Sequence, residues 1–156
     1  MKIGSLIPIR LASERLPSKA IMKVKDKPLV CHLLDRVFAS KHIINKKDVI
    51  VCTTMDKSDD HLEKIVREYG ASVFRGDEND IIKRFYDAIK VHNLDYIIQV
   101  DGDDIFSDTE YMDYTMDTLL QNSNEIDIVT VTGLPLGIAT KSFSKDAMEK
   151  VFGRHS

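Results

Sequence analysis

The chain has 156 residues, 43% of them hydrophobic, which suits a single domain able to bury about two thirds of its unfolded surface without disulfide staples. With 22 Lys/Arg against 25 Asp/Glu, the net charge of −3 argues against a general nucleic-acid binder, and no apolar run approaches the roughly 20 residues of a membrane span. Cys31 and Cys52 lie in apolar runs and read as reduced, buried thiols of a cytoplasmic protein, not as a disulfide.

In chain order, Lys2–Ile9 is a β-branched apolar run and reads as a buried strand, and the polar, proline-containing stretch Arg10–Lys19 as a loop. Ala20–Val24 reads as a short strand. Pro28 suits the start of a helix, and Leu29, Val30, Leu33, Leu34, Val37 and Phe38 then recur at helical spacing. Asp48–Thr53 is a second buried strand. Ser58 suits an N-cap, Leu62, Ile65, Val66 and Tyr69 form one stripe, and Gly70 suits the C-terminal cap. Ala71–Phe74 is a short strand. Asn79 or Asp80 caps a helix carrying Ile81, Ile82, Phe85 and Ile89. Tyr96–Val100 is a third apolar strand, Thr109–Gln121 a helix, Ile126–Val131 a strand, and Ser144–Phe152 a last helix stopped by Gly153.

This alternation predicts an α/β fold, a three-layer Rossmann-like, mostly parallel sheet with helices on both faces. Ligands of such sheets bind outside the carboxyl ends of the strands, which selects the loops after Ile9, Thr53 and Val100. Charge is divided accordingly. Residues 1–50 hold 11 Lys/Arg and 4 Asp/Glu, whereas residues 51–156 hold 11 and 21, and no Lys or Arg falls between Val91 and Thr140. A basic segment and an acidic one suit a polyanion with a metal ion; solvated faces at two ends of one domain are the plain alternative.

The first loop brings Arg10, Arg15 and Lys19 within ten residues beside a strand end. A polyphosphate is the natural partner for three such cations, since Arg grips phosphate oxygens in pairs and Lys acts as a point charge. The loop lacks glycine and is not a Walker A motif. The turn Asp101-Gly102-Asp103-Asp104 places carboxylates at another strand end, as Mg²⁺ requires, although Asp and Gly also suit an ordinary turn. His32 lies beside an apolar stripe and reads as structural.

The segment Ile7-Pro8-x-Arg10-x-x-Ser13-x-Arg15-Leu16-Pro17-x-Lys19, followed by Lys27-Pro28-Leu29, resembles the opening signature of the sugar cytidylyltransferases. These activate 3-deoxy-manno-octulosonic acid or acylneuraminates, and the branch linked to spore-coat polysaccharide is the most similar. The resemblance continues through Val49–Thr54, Val73–Gly76, Asp80–Phe85 and Gly102-Asp103. It implies transfer of CMP from CTP to a sugar acid with release of pyrophosphate. It also implies that Arg10, Arg15 and Lys19 hold the triphosphate, with Pro8 and Ser13 beside them. By the same resemblance, Arg75, Asp80 and Arg84 lie near the base and ribose, Asp101 lies close to the nucleotide, and Asp103 ligates Mg²⁺. Two positions depart from the family pattern. Ser18 stands where many relatives have glycine, and Asp101 where they carry Gln or Thr.

Asp101-Gly102-Asp103 also fits the D-x-D motif of a glycosyltransferase using a nucleotide-sugar, and a catalytically incomplete nucleotide-binding module is a third reading. Relatives continue well past residue 156, so the chain is expected to be the N-terminal part of a longer enzyme. A homodimer is compatible with the family.

Overall fold

The core follows from strict alternation along the central strands. The computed structural model describes residues 1–12 and 17–155. In β1 (Ile3–Pro8), Leu6 faces one apolar cluster and Ile7 the opposite one, as a pleated strand buried on both faces demands. A tight hairpin follows, β2 (Lys23–Val24) and β3 (Lys27–Pro28), turned by Lys25 and Asp26 with φ of 51° and 61°. Sequence reading expected one strand over Ala20–Val24. Its first part is instead a single 3₁₀ turn, Lys19–Ile21, and only Lys23 and Val24 pair.

α1 (Leu29–Phe38) leads to β4 (Val49–Thr54), every residue of which is buried. α2 (Asp60–Tyr69) ends on Gly70 at φ 108°, the left-handed cap expected of it. Its start differs from expectation. Asp56, not Ser58, caps the preceding turn by accepting from the Ser58 amide at 2.7 Å, and Asp59 occupies the N-cap position with its carboxylate turned elsewhere. β5 (Ser72–Gly76) is followed by α3 (Ile81–His92), capped by Asp80, which accepts from the Lys83 amide at 2.8 Å. Then come β6 (Tyr96–Gln99), α4 (Thr109–Gln121), β7 (Ile128–Thr130), β8 (Lys141–Ser144) and α5 (Lys145–His155). The last helix runs through Gly153, where a stop was expected, and β8 was not foreseen.

The six-stranded sheet has the order β5-β4-β1-β6-β8-β7. β5, β4, β1 and β6 are parallel neighbours, and β8 runs antiparallel to both β6 and β7. α1, α2 and α4 cover one face, with Leu33, Leu62, Met112 and Met116 against Ile7, Val51 and Ile98. α3 and α5 cover the other, with Phe85, Ile89 and Met148 against Leu6, Ile50 and Ile97. The fold is therefore the expected three-layer α/β sheet. Among the described residues, no helix is long and apolar enough to cross a membrane.

From β1 the chain moves outward to β4 and β5, then returns through α3 to β6 on the other side of β1. Strand order therefore reverses between β1 and β6, the place where open α/β sheets form a ligand crevice.

Candidate active site

At that reversal the carboxyl ends of β1 and β6 open into a cleft of about 390 Å³ lined by Pro8, Ile9, Arg10, Glu78, Asn79, Ile81, Arg84, Asp101, Gly102 and Asp103. Its two principal walls touch through backbone. A Cβ on Gly102 would lie 2.2 Å from Cγ1 of Ile9 and 2.5 Å from the carbonyl oxygen of Pro8, so only glycine lets the acidic turn lie against the end of β1.

One wall is cationic. Arg10 is exposed, whereas Arg84 is only 4% exposed. The Arg84 guanidinium donates to the carbonyls of Asp77 at 2.8 Å and Glu78 at 3.1 Å. Burial pulls its pKa below the ordinary value and Arg10 adds repulsion, partly offset by Cys52, Asp59 and Asp77. Arginine does not deprotonate in proteins, so this buried charge calls for an anion. Among the described residues neither Arg10 nor Arg84 forms an ion pair, and both line the cleft.

The other wall is acidic. The Asp104 amide donates to the Asp101 carbonyl at 3.0 Å, closing the turn. The Asp104 carboxyl is raised above the ordinary range by burial and by the charges of Asp103 and Asp101, while Lys19 pulls it down. Lys19, on the 3₁₀ turn, thus acts on the acidic turn from the far end of the basic loop. Among the described residues, no group of three or more His, Cys, Asp or Glu is gathered as a metal cage. The carboxylates of this turn are oxygen ligands of the kind that Mg²⁺ takes, one or two at a time, beside water and phosphate.

Pro8, Arg10, Arg84, Asp101 and Asp103 are therefore brought together as the sequence suggested, and Lys19 lies close by. Ser13 and Arg15 lie outside the described residues. Asp80 does not line the cleft; it caps α3, and its second oxygen lies 2.9 Å from Nε2 of His155. Arg75 does not line it either. Its guanidinium pairs with Asp60 at 2.5 Å and Glu63 at 3.0 Å and donates to the carbonyls of Thr54 at 2.7 Å and Asp56 at 2.6 Å. Sequence reasoning missed Glu78 and Asn79, whose signal was the polar run between Gly76 and Ile81. Cys31 and Cys52 are free and buried, and burial pushes the Cys52 thiol up to about 12, which leaves it inert as a nucleophile.

A second cleft of about 290 Å³ adjoins the first and shares Asp101 with it; Gln99, Asp104, Thr140 and Lys141 are among its lining residues. Thr140 is 5% exposed, and its hydroxyl has no hydrogen-bond partner among the described residues.

Comparison with known proteins identifies the family and the fold. The chain is 35% identical over 152 residues to an uncharacterised protein of Methanocaldococcus jannaschii, covering 97% of this chain and 60% of that one. It is 32% identical over 134 residues to the spore coat polysaccharide biosynthesis protein SpsF of Bacillus subtilis, covering 85% and 55%. The chain thus spans little more than half the length of these relatives. A solved cytidylyltransferase from Leptospira borgpetersenii superimposes with a TM-score of 0.89 at 34% identity, covering 98% of this chain and 64% of that one. The structure of CMP:2-keto-3-deoxy-manno-octonic acid synthetase complexed with CTP shares the fold, with a TM-score of 0.77 at 16% identity, covering 98% and 78%. A family model described as cytidylyltransferase matches from residue 5 to residue 155, through both walls of the cleft, and this chain belongs to that family.

Proposed function

We propose that this chain carries the nucleotide-binding and transfer core of an enzyme that moves CMP from CTP to a sugar acid, giving CMP-sugar and pyrophosphate. The observation that carries the reading is the opposition, within one cleft, of Arg10 and Arg84 to Asp101 and Asp103. Cations alone would suit any anion. Cations facing a carboxylate turn suit a polyphosphate that arrives with a divalent ion.

Arg10, Arg84 and Lys19 hold the phosphates and offset the charge that builds on departing pyrophosphate; Arg15 and Ser13, in the same loop, are assigned to the same task by resemblance. Asp103, with Asp101 beside it, would hold Mg²⁺, which when bound supplies Lewis-acid polarisation of a phosphoryl oxygen. The contact of Gly102 with Pro8 and Ile9 sets the spacing between phosphate-binding and acidic walls, so the chain supplies rate mainly by positioning. The second cleft takes the acceptor. Asp101 stands between the two clefts, and Lys141 meets the carboxylate of the acceptor. A sugar acid is the substrate class because one relative, 31% identical over 109 residues, is a 3-deoxy-manno-octulosonate cytidylyltransferase of Brucella canis.

Incubation with CTP, Mg²⁺ and a panel of 3-deoxy-2-ulosonic acids and acylneuraminates, with pyrophosphate as readout, tests this. Acceptor-dependent release supports it. CTP at a hundred times its dissociation constant should also stabilise the native state by about 2.7 kcal/mol. No thermal shift with CTP and Mg²⁺, or cleavage of a nucleotide-sugar without pyrophosphate, overturns it.

A further inference from the structure

Asp59 lies 48 residues from the basic loop in sequence, outside every motif discussed, and is 1% exposed. Its two carboxylate oxygens serve two different segments. Oδ1 accepts from the backbone amide of Leu11 at 2.8 Å, immediately after Arg10. Oδ2 accepts from the Thr54 amide at 3.1 Å, from the Thr53 hydroxyl at 2.7 Å and from the Thr54 hydroxyl. The chain of contacts continues through Leu11, whose carbonyl accepts from the Ser18 amide at 3.0 Å. Ser18 precedes Lys19. Leu11 is therefore the stem where both ends of the basic loop meet, with Arg10 on one flank and Lys19 beyond the other, and Asp59 pins that stem to the end of β4.

We infer that Asp59 is a positioning residue that sets the register of Arg10 and Lys19 against the nucleotide, acting through Leu11. This rests on the CTP reading above. The chemistry requires a carboxylate. The amides of Leu11 and Thr54 are both fixed donors, and each needs its own acceptor. Asparagine has the same shape but a single acceptor oxygen, so in either orientation it turns an NH₂ toward one of the two amides. Threonine hydroxyls can rotate to accommodate an amide; backbone N–H groups cannot. Glutamate keeps both oxygens but moves them by a methylene, in a site with no free space at 1% exposure.

The test compares wild type, Asp59→Asn and Thr53→Val by CTP titration with Mg²⁺, by melting temperature without ligand, and by amide hydrogen exchange. Thr53→Val removes one hydrogen bond to the same carboxylate and leaves the Leu11 link in place. Asp59→Asn is expected to weaken CTP binding by about tenfold or more and to speed exchange at Leu11. Thr53→Val is expected to lower the melting temperature while CTP affinity stays within about twofold. Should Asp59→Asn lower the melting temperature as Thr53→Val does and leave CTP affinity within twofold, the residue is structural only and the inference falls. Wild-type exchange provides a readout that needs no variant. The Leu11 amide must be protected to a degree comparable with Thr54, and fast exchange there overturns the inference even if Asp59→Asn does not fold. If wild type binds no CTP, the CTP reading fails by itself, and Leu11 protection still decides whether the clasp exists.

Discussion

At Gly102 a missing methyl group decides how two loops meet. An added Cβ would need to move the Pro8 carbonyl, which is backbone and anchored in the sheet, by nearly an ångström to reach ordinary contact. Gly102→Ala is therefore expected to cost about 1–3 kcal/mol of stability, as overpacking does, and to weaken CTP binding because Arg10 follows the displaced Ile9 directly. Chemical denaturation and CTP titration of the same variant check the two effects. The cleft residues were legible in the sequence to the extent that they are charged and sit at strand ends: Arg10, Asp101 and Asp103 all announce themselves this way. Asp59 and Arg75 do not. Whether a polar side chain serves a ligand or its own backbone depends on partners distant in sequence, and Arg75, which reads as a ligand residue, spends its donors on Asp60, Glu63 and two carbonyls.

Those same contacts make Arg75 a strap across β5, the β4 end and the first turn of α2. Arg75→Met is expected to lower stability by about 1 kcal/mol, most of it from the two carbonyls left without a donor, since ion pairs with Asp60 and Glu63 near solvent contribute little. CTP affinity of the folded protein should change by less than twofold, which thermal melts with and without CTP distinguish. Helices were the elements most readable in sequence, because an apolar stripe at 3.6-residue spacing survives any tertiary context; α4 was read to the residue. The hairpin of β2 and β3 escaped because its turn uses Lys25 and Asp26 at positive φ, where Asn-Gly is the usual signal. β8 escaped because its buried pair includes Ser142, whose hydroxyl lies 2.8 Å from that of Thr115; a polar contact stands where periodicity looks for an apolar one.

Across the whole molecule, ionised carboxylates tie segments far apart in sequence. Lys41 and His42 hold Asp117 below the usual carboxylate range, joining the end of α1 to α4, and Arg67 and Arg75 do the same for Glu63. At Asp59 burial pushes upward, but its hydrogen bonds outweigh it and the net shift is also down. A carboxylate with a depressed folded-state pKa contributes stability that is complete above its unfolded value, about 4, and lost as pH falls through the folded value. Burial also holds the His92 imidazole below its ordinary value, so charging it costs stability as pH falls below about 6.5. A shallow decline is thus expected to begin there and to steepen below about pH 4 as the paired carboxylates protonate, which acid titration followed by circular dichroism would record; stability rising as pH falls from about 7 to about 4 would contradict it. The division of charge along the chain also resolves at this scale. The basic first third and the acidic remainder are not merely opposite ends of a domain, for Arg10 and Lys19 converge on Asp101–Asp104 at one sheet edge.

β8 alone runs against its neighbours, so β7 and β8 are joined without a crossover helix. Residues 131–140 leave β7 and enter β8 at the same edge that carries the acidic turn, and they form much of the second cleft. Every other wall of the two clefts is tied to an element that must also close the core. This one hangs from a hairpin-like closure, with Leu136 wholly exposed and Gly133 and Gly137 at positive φ. It can lengthen, shorten or change composition with little effect on sheet register or on the nucleotide wall. Under the function proposed above, such an arrangement would separate the part of the reaction that stays constant from the part that varies, so that new acceptors could be explored while the nucleotide wall stays fixed.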